Sequence, residues 1–207
     1  MKIEKIINEI AQENTYLLSN ATSCLVIDPG SQPQLLLERL RQLDKPVKAI
    51  LLTHAHFDHI IGLESLKNDF PDAPILLHEA ERDWPKSPEL NASSVLLGQA
   101  VIAPDADEFY HINHVYDLDG FEFVVRATPG HSIGGVSFVF TNEKLVFTGD
   151  ALFAGSIGRW DLPTGSYEQL IYSIKTELLA LPDDFQVLAG HGEATTIGHE
   201  RQFNPFL

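Results

Sequence analysis

At 207 residues the chain is long enough for one domain that buries roughly 70% of the surface its unfolded form exposes. Its 44% hydrophobic and 21% charged residues are those of an ordinary soluble globular protein, while 14 basic against 29 acidic side chains leave a net charge of −15. That acidity argues against a nucleic-acid groove and against docking on anionic membranes, both of which need clustered Lys and Arg.

The N-terminal stretch, Met1 to Glu9, carries acidic residues inside its apolar positions and lacks the uninterrupted core of a signal peptide. No apolar run approaches the length of about 18 residues needed to span a bilayer, so a cytoplasmic location is expected. Strands centred on Thr15 to Leu18 and Leu25 to Ile27 follow, closed by the turn Asp28-Pro29-Gly30. Cys24, the single cysteine, reads as a small core residue and excludes intrachain disulfides and thiolate metal cages. A helix is expected from about Pro33 to Leu43, with Leu36, Leu37, Leu40 and Leu43 on one face.

The apolar run Ala49-Ile50-Leu51-Leu52 then reads as a buried strand ending in Thr53 and the segment His54-Ala55-His56-Phe57-Asp58-His59. His56 lies two residues beyond His54, so both imidazoles point the same way from an extended segment. Asp58 and His59 start the next element from another angle, and one short segment can thereby offer ligands to two adjacent metals. A short helix over Leu63 to Phe70 and a strand over Ile75 to His78 come next. Residues 84 to 107, interrupted by Pro85, Pro88, Gly98 and Pro104, read as a long loop with short helical turns.

Strands return at Phe121 to Arg126, Val136 to Phe140 and Leu145 to Phe147, with Asn142-Glu143 as a hairpin turn. An amphipathic helix is predicted from Tyr167 to Leu181, and a last strand from Phe185 to Leu188. Three strand ends carry further candidate ligands, each preceded by glycine: Gly130-His131, Gly149-Asp150 and Gly190-His191. Glycine lets the chain take backbone angles closed to other residues and pass close to a metal or substrate. The remaining histidines, His78, His111, His114 and His199, lack this context and read as surface or hydrogen-bonded core residues. Strands clustered in each half with helices between them suggest two sheets sandwiched by helices, a four-layer αββα arrangement.

The set His54, His56, Asp58, His59, His131, Asp150 and His191 resembles the metallo-β-lactamase superfamily in residue type and order. The resemblance implies the αββα fold and ligands from loops at one edge of the sheets. It also implies a division of labour: His54, His56 and His131 on one metal, Asp58, His59 and His191 on the second, and Asp150 as a bridge. Imidazole and carboxylate donors without thiolate suit zinc, iron or manganese, and two divalent ions, zinc first, are the expected cofactors. Two metals about 3.5–4 Å apart can share a water and lower its pKa to roughly 7, making a metal-bound hydroxide available. Asp58 is the expected catalytic residue, hydrogen-bonding that hydroxide and aiming it.

Within the family, histidine at position 56 departs from the flavodiiron branch, which has glutamate there. The intact Asp150 and the absence of a cysteine ligand disfavour the true β-lactamases, and the acidic surface disfavours the nucleases. The segments 51–59 and Thr128-Pro129-Gly130-His131-Ser132, with the ending Asn204-Pro205-Phe206-Leu207, look like compact single-domain bacterial members of the glyoxalase II-like branch. The resemblance implies hydrolysis of a small-molecule thioester such as lactoylglutathione. The chain ends soon after His191, so a single domain over 1–207 is expected, without the helical C-terminal domain that grips glutathione in typical glyoxalase II enzymes. The loop Gly158-Arg159-Trp160-Asp161 also resembles the persulfide dioxygenases, which would use one iron on His54, His131 and Asp150. A metal-stabilised binding protein is the third reading, against which all seven ligand positions are filled. Phe57, Phe153 and Trp160 are candidates for an apolar wall or for plain core packing. Arg159 is a candidate for a substrate carboxylate or for an ion pair with Asp161. Oligomeric state is left open.

Overall fold

The apolar runs of the first half lie side by side as one sheet. In the computed structural model, which describes residues 1–207, this first unit comprises Met1–Tyr110 with Asp117–Phe121. Its elements are β1 (Lys2–Ile7), β2 (Asn14–Ser19), β3 (Cys24–Ile27), α1 (Pro33–Leu43), β4 (Val47–Leu51), α2 (Phe57–Ile60), α3 (Leu63–Asp69), β5 (Ile75–Leu77), α4 (Ser93–Leu96) and β6 (Glu108–Phe109). The six strands are ordered β1-β2-β3-β4-β5-β6. β1 to β3 run antiparallel, whereas β3 to β6 are parallel. β3 is buried along its whole length and β4 at all but Lys48, the mark of strands covered on both faces. The leucine spacing of α1 turns Leu36, Leu37 and Leu40 into the core, and Asp44 ends the helix in the left-handed conformation. The ends of β3 and β4 release the chain into Asp28 and into the histidine-rich turn, and functional groups of parallel sheets sit at such carboxyl ends.

The second unit comprises His111–Tyr116 with Glu122–Leu207. Here β7 (Val115–Leu118), β8 (Phe121–Ala127), β9 (Val136–Phe140), β10 (Leu145–Gly149), β11 (Leu152–Phe153), β12 (Ser156–Ile157), α5 (Tyr167–Ser173), β13 (Gln186–Ala189), β14 (Thr195–Thr196) and α6 (Ile197–Phe203) follow in order. The sheet runs β14-β13-β10-β9-β8-β7, and β11-β12 form a separate hairpin. Leu170, Ile174 and Leu178 pack against Val139, Val146, Val187 and Ile197 as the core of this unit. The long helix predicted over Tyr167 to Leu181 is an α-helix only to Ser173 and continues as a wider π-helical turn over Ile174–Leu178. The loop predicted over residues 84 to 107 does contain short helical turns, at Trp84–Lys86 and Ser93–Leu96. No helix is long and apolar enough to cross a membrane.

Candidate metal centre

The first four candidate ligands belong to the first unit, where two buried acids hold the turn that carries them. Asp28 accepts the Thr53 N–H at 2.7 Å, the Thr53 hydroxyl at 2.6 Å and shares a hydrogen bond with His59 Nδ1 at 3.0 Å. Glu81 accepts the backbone N–H of Ala55, the residue between His54 and His56, at 2.7 Å. Thr53 Oγ1 spends its proton on Asp28, so at 3.1 Å it accepts from His54 Nδ1–H. His54 and His59 thus have their Nδ1 atoms engaged, which leaves Nε2 as the atom presented for ligation. The rings of His54 and His56 stand perpendicular with centroids 4.8 Å apart, and His54 and His59 are 4.2 Å apart. Asp58 Oδ2 lies 3.9 Å from His59 Nε2. The sequence-read quartet is therefore one cluster.

The second unit holds the other three. Gly130 has φ of +130°, and a Cβ there would collide with the backbone N of Leu170; Gly149 before Asp150 has φ of +50°. Both junctions need glycine for the reason anticipated. His131 Nδ1 donates to the Arg159 carbonyl at 2.7 Å, again leaving Nε2 as the atom presented for ligation. One oxygen, Asp150 Oδ2, lies 3.5 Å from His131 Nε2 and 3.3 Å from His191 Nε2. Asp150 and His131 are buried, whereas His191 keeps 24% of its side chain exposed.

The proposed substrate residues fare differently. Phe153 is half-buried with its ring edge-on to His191, centroids 5.9 Å apart. Trp160 packs against Tyr167 at 4.8 Å and, with Arg159 and Asp161, lines a cavity of about 280 Å³. Arg159 makes the ion pair that was one of its two readings, a bidentate contact with Asp161 at 2.8 and 2.9 Å. That pair raises the guanidinium pKa and lowers the Asp161 carboxyl below the usual carboxylate range. Phe57 is buried in the core of its unit. His78 caps a turn by accepting the Ala80 N–H at 3.1 Å, and burial lowers its pKa. His199 lies tilted beside Phe203, and His111 lies beside His114. Cys24 is fully buried, and burial pushes its thiol pKa up. Asp28, Glu81 and the threonine next to His54 were missed as contributors. Asp28 sat in a segment legible only as a turn, and Glu81 carried no local signal.

The family model described as the metallo-beta-lactamase superfamily matches residues 9–191. The chain belongs to the metallo-β-lactamase superfamily. Among its relatives, a protein of Streptococcus pyogenes named "Probable metallo-hydrolase" is 49% identical, covering 100% of this chain and 90% of that protein. Hydroxyacylglutathione hydrolase GloC of Haemophilus influenzae is 40% identical, covering 100% of this chain and 98% of that protein. Among solved structures, the BLEG-1 B3 metallo-β-lactamase superposes with a TM-score of 0.95 at 40% identity over 100% of this chain and 99% of that one. TTHA1623 in a di-iron-bound form gives 0.87 at 36%, covering 99% and 100%. ETHE1 from Myxococcus xanthus gives 0.82 at 26%, covering 99% and 84%. The fold anticipated from the resemblance is the fold of these neighbours. As a superfamily member this chain falls among the metal-dependent hydrolases, with a His and Asp donor set able to bind metal ions.

Proposed function

We propose that the chain is a binuclear metal-dependent thioesterase in which His54, His56, Asp58, His59, His131, Asp150 and His191 are the donors for two divalent ions. The observation that carries this reading is the orientation of the imidazoles. His54, His59 and His131 each engage Nδ1 with a hydroxyl, a carboxylate or a carbonyl and offer Nε2, the arrangement that fixes tautomer and aim in metal-ligating histidines. Purely nitrogen and oxygen donors fit zinc, iron or manganese. His54, His56 and His131 would hold one ion and Asp58, His59 and His191 the other. Asp150, already reaching two Nε2 atoms through one oxygen, would bridge. When bound, the ions would supply Lewis acidity and an acidified water at neutral pH.

The chain's own groups do the rest. Asp58 accepts a hydrogen bond from the attacking water and aims it at the thioester carbonyl carbon. The water oxygen bonds the carbonyl carbon, its protons pass by way of Asp58 to solvent, the C–S bond breaks, and carboxylate and thiolate leave; the low basicity of the thiolate makes a dedicated general acid unnecessary. Phe153 beside His191 offers an apolar wall for the acyl group. Support for an acyl-thiol substrate comes from the likeness to the Haemophilus hydrolase. The substrate is proposed to be a small thioester, the location cytoplasmic, and residues 1–207 a single functional domain.

Two likenesses favour other readings. The Gly158-Arg159-Trp160-Asp161 loop, with its resemblance to the persulfide dioxygenases, favours mononuclear-iron persulfide oxidation, and BLEG-1 at 40% keeps β-lactam hydrolysis in view. Elemental analysis of the purified protein is to be paired with assays of lactoylglutathione cleavage, persulfide-dependent oxygen uptake and hydrolysis of a chromogenic β-lactam. Two ions per chain with thioester cleavage is the expected result; one iron with oxygen uptake, or β-lactam turnover alone, overturns it.

A further inference from the structure

Glu200, in α6, is fully buried and has no part in the reaction above. Its Oε2 accepts the Gly155 N–H at 2.9 Å and the Asn204 side-chain amide at 2.8 Å, and its Oε1 accepts the Thr195 hydroxyl at 2.6 Å. Asn204, also buried, donates from the same amide nitrogen to the Ser156 carbonyl at 3.0 Å. These two side chains therefore grip consecutive residues of the β11–β12 hairpin. That hairpin has only two paired positions, Leu152 with Ile157 and Phe153 with Ser156, and a ribbon so short does not hold its own shape. What it carries matters to the site. Phe153 stands beside His191, and immediately after β12 the chain reaches Arg159, whose carbonyl takes the His131 Nδ1 proton. A buried carboxylate with three good donors is a rigid anchor, whereas one losing its partners is costly.

We propose that Glu200 and Asn204 are positioning residues: they latch the β11–β12 hairpin so that Phe153 stays against His191 and the Arg159 carbonyl stays on His131, and through Phe153 they set acyl-group specificity. The kinetic half of this proposal rests on the thioesterase reading; the latch does not.

The experiment compares wild type with Asn204→Ala, Glu200→Ala and Glu200→Gln. Amide hydrogen exchange over residues 152–159, read by mass spectrometry, is expected to accelerate on the order of tenfold in Asn204→Ala, with the β9 and β10 peptides unchanged. For thioesters of increasing acyl length, KM is expected to rise on the order of tenfold more for the longer chains than for the shortest, over and above any loss of kcat common to the whole series from a loosened His131. Phe153→Ala added to Asn204→Ala is expected to add nothing to the acyl-length dependence of KM, because that dependence runs through the one ring. Glu200→Gln, which keeps an acceptor oxygen, is expected to recover most of what Glu200→Ala loses. Should Glu200→Ala fail to fold, Asn204→Ala carries the same test with one side chain at the helix end. Wild-type exchange over the hairpin in Asn204→Ala overturns the latch, and strictly additive effects on the acyl-length dependence of KM overturn its role in specificity. If wild type cleaves no thioester, the proposed reaction falls while the exchange measurement still decides the latch.

Discussion

Asp28→Asn isolates the device that prepares His59. The carboxylate receives three donors: the Thr53 N–H at 2.7 Å, the Thr53 hydroxyl at 2.6 Å and His59 Nδ1 at 3.0 Å. An amide has one acceptor oxygen and one NH₂ group. If the oxygen keeps the Thr53 N–H, the NH₂ faces Thr53 Oγ1 and His59 Nδ1, and both must switch to accepting. His59 then carries its proton on Nε2, the atom proposed to bind metal. The backbone does not object, since Asp28 sits at φ of +49°, a region asparagine tolerates well. Losing such a second partner weakens metal binding by 10–100-fold, about 1.4–2.8 kcal/mol. Exchanging a charged acceptor for a neutral one costs the apoprotein about 1–2 kcal/mol of folding stability. Competition with a chromophoric chelator measures the first quantity and thermal unfolding of the metal-free protein the second. Wild-type metal affinity in a folded Asp28→Asn protein would refute the argument that Asp28 sets the His59 tautomer.

Asp58→Ala is expected to leave a folded protein and lower thioester turnover by at least about 10²-fold, the scale of a lost proton acceptor; circular dichroism and steady-state rates check both, and normal turnover removes the proposed mechanism. Gly158→Ala places a Cβ against the Asp150 carbonyl oxygen and 3.2 Å from His131 Nδ1. Relief requires moving a ligand's own backbone, so a loss of about 1–3 kcal/mol in unfolding free energy is expected, together with weaker metal retention on dialysis. His78 is pushed below its ordinary pKa of 6.5, chiefly by burial, with Glu79 opposing. The unfolded chain therefore binds that proton more readily, and stability is lost as pH falls from 6.5 downward and is unaffected above it. His78→Asn keeps a turn cap without the titration, so its unfolding midpoint is expected to fall less than wild type between pH 7 and pH 5; equal slopes would count against the assignment.

The legible parts of this chain were those written in local pattern. β3 to β5, β9, β10 and β13 announce themselves as short, largely apolar runs because strands buried in a sheet need apolar side chains on both faces. β8 shows itself by alternation, with Glu122 exposed between buried Phe121 and Phe123, and β2 by its Tyr16-Leu17-Leu18 centre. β1 did not, since only Ile6 of its six residues is buried, and neither did the two-residue strands or α6. The candidate ligands were legible for a different reason. Four lie within six residues, and the other three follow glycines at strand ends.

Sequence by itself determined the donor chemistry and the order in which ligands occur, because residue type and short spacing are local properties. Tertiary structure alone decided which acids serve those donors. Asp28 reaches Thr53 and His59 across 25 and 31 residues, Glu81 reaches Ala55 across 26, and Glu200 reaches Gly155 across 45. A hydrogen bond is made by atoms about 3 Å apart in space, and separation along the chain carries no trace of it until the sheets have formed.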